Sequence, residues 1–184
     1  MSDGELMVRT REGDRDAFSA IVHRYKDSLL NYLTHLSGNR DKAEELTQET
    51  FVRLYRNLER YEECSKLAPL LFRIGTNLVR SEQRSVFRWL SYLTRNGHEH
   101  NGHESRSPQS EILSEEAQEA VRGAISRLPL IYRSAIVLYE MEEWSYQEIA
   151  DSLGCSLGTV KSRISRGREL LRRMLSPYWN GDPS

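Results

Sequence analysis

The sequence predicts an all-α protein made of two small helical domains joined by a flexible linker. Three observations carry this expectation. Apolar residues recur at three- and four-residue spacing on both sides of the middle of the chain, and no stretch alternates as a strand does. Capping residues and glycines fall where the periodic stretches begin and end. Between them, residues 94–113 (TRNGHEHNGHESRSPQSEIL) are rich in Gly, Asn, His and Ser, include Pro108, and hold almost no apolar residue before Ile112. The expected division is a front domain over 1–93, a linker over 94–113 and a rear domain over 114–178. Each block could form a small core, marginal by itself.

In the front block, Leu6 to Arg11 reads as a short helix ending at Gly13. Asp14 or Asp16 can start a longer one, with Phe18, Ile21, Val22, Tyr25, Leu29, Leu33 and Leu36 as its apolar face and Gly38 as its stop. Asp41 is the expected cap of the next helix, with Glu44 in the capping-box position. Its apolar residues run from Ala43, Leu46, Phe51 and Leu54 to Leu58 and Tyr61. A polar turn over Glu62 to Ser65 precedes a fourth helix with Pro69 in its first turn, continuing to about Leu93. In the rear block Ser114 opens a helix with Glu115 and Glu116 in the acidic first turn. Pro129 ends it, and Leu130 to Met141 forms the next.

The stretch from Trp144 to Leu175 (WSYQEIADSLGCSLGTVKSRISRGRELLRRML) is the most informative one. Ser145 caps a short helix and Glu148, three residues on, completes a capping box. Gly154 supplies the left-handed residue that ends this helix, and Ser156 starts another. Val160, Ile164, Gly167 and Leu171 form the inward stripe of the second helix. Thr159, Ser162, Ser165, Arg166 and Glu169 face outward. From Ser156 to Arg173 six basic residues (Lys161, Arg163, Arg166, Arg168, Arg172, Arg173) stand against one acid, Glu169. A short helix, a glycine turn and a cationic amphipathic helix form a helix-turn-helix, which sets its second helix in the DNA major groove.

Composition limits the alternatives. The 184 residues are 38% hydrophobic and 29% charged, with a formal net charge of −1, so DNA binding must come from local basic patches. Two cysteines, Cys64 and Cys155, far apart, make neither a disulfide framework nor a zinc motif. MSDGELMVRTREGD lacks the apolar run of a signal peptide, and no stretch is long enough to cross a bilayer. The expected location is the cytoplasm. His98, His100 and His103 read as polar spacer rather than metal ligands. No nucleophile elbow, phosphate loop or ligand cluster is present, so no enzymatic activity, cofactor or metal is expected.

In order and spacing, GDRDAFSAIVHRY, DKAEELTQETFVRLYRNLERY, LLFRIGTNLVRSEQR and ISRLPLIYRSAIVLYEMEEWSYQEIADSLGCSLGTVKSRISRGRELL resemble the extracytoplasmic-function sigma factors, the smallest members of the bacterial sigma-70 family. The resemblance implies a subunit that directs core RNA polymerase to promoters. Its front domain holds and melts the −10 element of promoter DNA, and its rear domain reads the −35 element. It also implies contacts with the clamp helices of the polymerase's largest subunit and the flap of the second largest, and control by an anti-sigma factor.

Each role has support in the residues. From Asp41 to Glu63 seven acids stand against four bases, and an acidic helix repels phosphate. By the resemblance this helix docks the polymerase, with Glu45, Gln48, Glu49 and Arg53 as its exposed contacts. From Leu70 to Arg95 five arginines stand against Glu82 alone, interspersed with aromatic residues. Cations track phosphates, and aromatic or amide groups hold unstacked bases. The resemblance puts Tyr61, Arg73, Asn77 and Arg80 at the −10 element. Leu70, preceded by Pro69, stands where many members carry tryptophan. For the −35 element the resemblance implies contacts by Thr159, Lys161, Ser162, Arg163, Ser165 and Arg166. Arg166 is suited to a bidentate contact with guanine, whereas Lys161, Arg163, Arg168 and Arg172 suit phosphate. The alternative reading is a helix-turn-helix regulator that binds operators without polymerase; its front block should hold strands or a ligand pocket, and this one reads as helical.

Overall fold

The computed structural model describes residues 1–61, 66–94 and 112–179, and among these every regular element is helical. The linker residues 95–111, with the three histidines, and the turn residues 62–65 lie outside the described residues. The front block contains α1 (Asp3–Arg11), α2 (Arg15–Ser37), α3 (Arg40–Arg56), a 3-10 turn (Leu58–Tyr61) and α4 (Leu67–Thr94). The rear block contains α5 (Ile112–Arg127), α6 (Leu130–Glu140), α7 (Tyr146–Leu153) and α8 (Leu157–Trp179).

Helix ends follow local chemistry. Asp14 caps α2 by accepting from the backbone N–H groups of Asp16 and Ala17, and Gly38 ends it at φ 72°, where a residue with a Cβ would be strained. Four ends differ from the sequence reading. The first helix begins at Asp3 because Ser2 and Glu5 form a capping box upstream of Leu6. The cap of α3 is Asn39, whose side-chain oxygen accepts from the Lys42 N–H at 2.9 Å. Asp41 lies inside the first turn instead, where its charge still suits the helix dipole. The apolar pattern that continues to Tyr61 crosses a break: α3 stops at Arg56, and Leu58 and Tyr61 sit on the 3-10 turn. In the rear block α5 starts at Ile112, ahead of Ser114.

The two blocks share one continuous core rather than two separate ones. Helix α4 packs along α7, and α2 packs against α5 and α6. An aromatic row crosses the junction. The rings of Tyr32 (α2) and Phe72 (α4) lie 4.9 Å apart, and those of Phe72 and Trp144, just ahead of α7, lie 4.6 Å apart. Such tilted pairs add about 1 kcal/mol each beyond the area they bury. The Tyr32 hydroxyl shares a hydrogen bond with Thr76, and burial pushes its pKa up. Pooling the two blocks buries a larger share of apolar surface than either block would bury by itself.

Arg133 (α6) ties the blocks at a second point. Its guanidinium is buried and donates to the Leu36 carbonyl at the end of α2, to the Leu128 carbonyl just past α5, and to the Ser126 carbonyl in the last turn of α5. A cation is favoured at both places because helix C-termini carry partial negative charge. Burial lowers its pKa, yet arginine stays charged.

Candidate DNA- and polymerase-binding surfaces

The helix-turn-helix is built from its ends inward. Ser145 and Glu148 cap each other's orphan groups, and the Glu148 carboxyl titrates below its usual range because the Ser145 hydroxyl and backbone N–H both donate to it. Gly154 closes α7 at φ 61°. The Ser156 hydroxyl then accepts from the Thr159 N–H at 3.2 Å, starting α8 immediately after the turn. Val160 and Ile164 are fully buried on the inner side of α8. Gly167 continues this stripe: a Cβ there would lie 2.7 Å from Ile136 Cγ1, so α8 passes α6 at a distance that only glycine permits.

This inward stripe turns Lys161, Ser162, Ser165 and Arg166 outward together, all exposed. Thr159 is half-buried, with its hydroxyl 2.9 Å from that of Ser156. No ion pair engages Lys161 or Arg166 among the described residues, leaving both cations available to an anionic partner. Two arginines read as phosphate contacts have partners within the protein. Arg163 is half-buried with a guanidinium nitrogen 3.6 Å from Cys155 Sγ. Arg168 pairs with Glu140 at 2.6 Å and lies over the Tyr139 ring at 5.1 Å, fastening α8 to α6.

On α4, Arg73, Asn77 and Arg80 follow one another at helical spacing on one exposed side, and Arg80 donates to the Asn77 side chain at 3.4 Å. Phe72, Leu71 and Leu70 face the core. Asn77 and Arg80 line a groove of about 1070 Å³ whose opposite wall is Pro129, Leu130 and Ile131, at the head of α6. Tyr61 is not brought into this row. It sits on the 3-10 turn, partly packed on the core.

The outer side of α3 carries Glu45, Gln48 and Arg53, exposed, and Glu49, half-buried. Arg53 donates to Glu49 at 2.7 Å. Lys42 bridges Glu45 and Glu82, each at 2.7 Å, and these carboxylates raise its pKa. The side therefore presents acids largely neutralised by neighbours.

Two regions of the chain match established families. Residues 21–86 match Sigma-70 region 2, and residues 118–171 match Sigma-70 region 4. The chain is 33% identical to the ECF RNA polymerase sigma factor SigW of Bacillus subtilis, over 93% of this chain and 98% of that one. It belongs to the extracytoplasmic-function sigma factors of the sigma-70 family. The RNA polymerase sigma-H factor of Pseudomonas aeruginosa is 31% identical over 95% of this chain and 94% of its own. Among solved structures, the sigma factor RpoE of Bartonella quintana, in complex with the anti-sigma factor NepR, superposes with a TM-score of 0.69 at 28% identity, covering 86% of this chain and 96% of that one. CnrH, in complex with the cytosolic domain of CnrY, gives 0.70 at 23% identity over 95% and 97%, which shows the shared fold.

The sigma factor also displays two residues that sequence reasoning missed. Val52 and Tyr55, 39% and 47% exposed, extend the row begun by Gln48 along α3. The Tyr55 ring meets Phe18 edge-on at 4.9 Å, which holds it in place. Their signal was present: Gln48, Val52 and Tyr55 fall at i, i+4 and i+7, off the core stripe of Phe51 and Leu54. Large apolar side chains ringed by paired charges are the usual make-up of a protein contact surface.

Proposed function

We propose that this sigma factor docks core RNA polymerase through the outer side of α3 and reads promoter DNA through two separate cationic surfaces. The polymerase contact consists of Glu45, Gln48, Glu49 and Arg53 around Val52 and Tyr55, against the clamp helices of the largest subunit. The rear domain meets the flap of the second largest. Residues 1–93 hold the −10 element through Arg73, Asn77 and Arg80, with Tyr61 at the edge. Residues 114–178 read the −35 element with Thr159, Lys161, Ser162, Ser165 and Arg166, and Arg163 supports the turn beneath them. Residues 94–113 tether the two, and the protein works in the cytoplasm. It performs no chemistry itself, since nucleotidyl transfer belongs to the polymerase.

The observation that carries this reading is the outward row Lys161, Ser162, Ser165 and Arg166, whose two cations have no ion pair among the described residues, on a helix braced by the Gly167 contact. An arginine fork donating to guanine O6 and N7 discriminates by about 1–3 kcal/mol. The Bartonella RpoE–NepR complex supports an anti-sigma partner for this chain as well. A regulator independent of polymerase would leave the Val52–Tyr55 row without a purpose.

Two variants separate the two kinds of surface. Val52→Glu should lower co-purification with core polymerase at least about tenfold, since it sets a charge where apolar contact forms. Arg166→Ala should leave that association intact and weaken promoter selection about tenfold or more. Loss of polymerase binding in Arg166→Ala would overturn the assignment of α8.

A further inference from the structure

We propose that Glu140 limits how tightly the −35 surface grips DNA: it holds Arg168 away from the phosphate backbone, which Arg168 would otherwise contact. This rests on the assignment of α8 to DNA under the proposed function. Arg168 Nε and a terminal nitrogen both donate to one carboxylate oxygen of Glu140, at 2.8 and 2.6 Å. The guanidinium carbon lies 5.1 Å from the centre of the Tyr139 ring, which in turn lies 5.1 Å from the ring of Tyr146 at the start of α7. The end of α6 thus turns Arg168 towards the protein.

On α8, Arg168 belongs to the row that faces phosphate. Lys161, Ser165, Arg168 and Arg172 fall at i, i+4, i+7 and i+11, and all are exposed. The row lies about a quarter turn from Ser162, which stands opposite the buried stripe of Val160, Ile164 and Gly167. A helix in the major groove aims its middle at base edges and its flanks at the phosphate walls. Among the described residues the other two cations of this flank, Lys161 and Arg172, have no ion pair, whereas Arg168 brings a carboxylate with it. A neutral pair releases no counterion when phosphate approaches. As a brace the pair adds little. An exposed ion pair stabilises a fold only weakly, and α8 is already seated by the burial of Val160 and Ile164 and by the Gly167 contact with α6. Glu140 is also the last residue of α6, an end at which the helix dipole disfavours an acid. Its charge therefore serves Arg168 rather than its own helix.

The test uses holoenzyme, at saturating core polymerase, on a fluorescein-labelled duplex carrying a promoter found by run-off transcription. Affinity is measured over a series of potassium chloride concentrations. Glu140→Gln should bind about threefold more tightly, and the slope of log affinity against log salt should steepen by about one, as for one added phosphate contact. The gain should be similar on a duplex whose −35 element is scrambled, since phosphate contacts carry no sequence information. The double variant Glu140→Gln/Arg168→Met should return to wild-type affinity and slope. Glu119→Gln is the control: it makes the same change in net charge by breaking an exposed pair with Arg122 on α5, and it should move neither readout. No gain in Glu140→Gln, a gain kept in the double variant, or an equal gain in Glu119→Gln would overturn the proposal. So would weaker binding by Glu140→Gln, or its failure to fold, either of which would show the pair to be a brace. Arg166→Ala tests the underlying reading separately: if it loses promoter selection while Glu140→Gln binds as the wild type does, only the restraint by Glu140 is lost.

Discussion

Arg133→Met should lower the unfolding free energy by about 3 kcal/mol. Methionine fills much of the volume but donates nothing, so the carbonyls of Leu36, Leu128 and Ser126 lose their shared donor. Each lies at the end of a helix, where no intrahelical N–H can replace it. The loss should appear as a fall in Tm of roughly 6–12 °C for a chain of this size. Arg133→Lys should recover part of it, because an ammonium keeps the charge but not the planar fork that reaches acceptors on two helices. Denaturant unfolding checks the result, and a Met variant within about 0.5 kcal/mol of wild type would show that these hydrogen bonds do not hold the blocks together.

The second large effect is expected at Gly167. Gly167→Val should destabilise the rear block by about 3 kcal/mol, the upper part of the range for an overpacked core. Even the first added carbon would come 2.7 Å from Ile136 Cγ1 and 3.5 Å from Tyr132 Cβ. Ile136 is buried and has little room to turn away. Gly167→Ala separates two opposing terms. It gains about 1 kcal/mol of helix propensity and loses about 1–3 kcal/mol to crowding. A net loss in Ala, larger in Val, is the predicted order, measured by thermal unfolding together with binding of −35 duplex DNA. Both should fall together, because the same contact that excludes a side chain sets the pitch of α8 against α6. An alanine variant more stable than wild type would show that α8 can move away freely.

Much of this was legible in the sequence wherever structure is set locally. The cap at Ser145, the box completed by Glu148, the stop at Gly154 and the inward stripe of Val160, Ile164 and Gly167 all follow from residues within one or two turns. So does the start of α2 at Asp14 and its end at Gly38. Asn39 and Asp41 show the limit of local reasoning. Both are good caps, and the choice went to the residue directly after the Gly38 turn. The break after Arg56 was hidden because Leu58 and Tyr61 keep a helical spacing even on a 3-10 turn.

The pairing of distant residues was not legible. Nothing near Arg168 in the chain identifies Glu140 and Tyr139 as its partners, and nothing near Arg73 points to the carbonyls of Asp151 and Ser152. The shared core was hidden for the same reason, since Phe72 and Trp144 meet across the end of the front block, the linker and the first two helices of the rear block. Val52 and Tyr55 were passed over because hydrophobic residues are expected inside, and an exposed pair becomes visible only once the core stripe of α3 is fixed.

The central claim is that one face of apolar side chains ringed by paired charges engages the polymerase while two cationic faces touch DNA. Run-off transcription on genomic DNA fragments, with purified core RNA polymerase in the presence and absence of this protein, tests it most directly. Discrete start sites that require the wild-type protein, vanish with Val52→Glu and weaken with Arg166→Ala are the predicted result. The same start sites with and without the protein, or promoter occupancy by the protein alone with no effect on initiation, would contradict it.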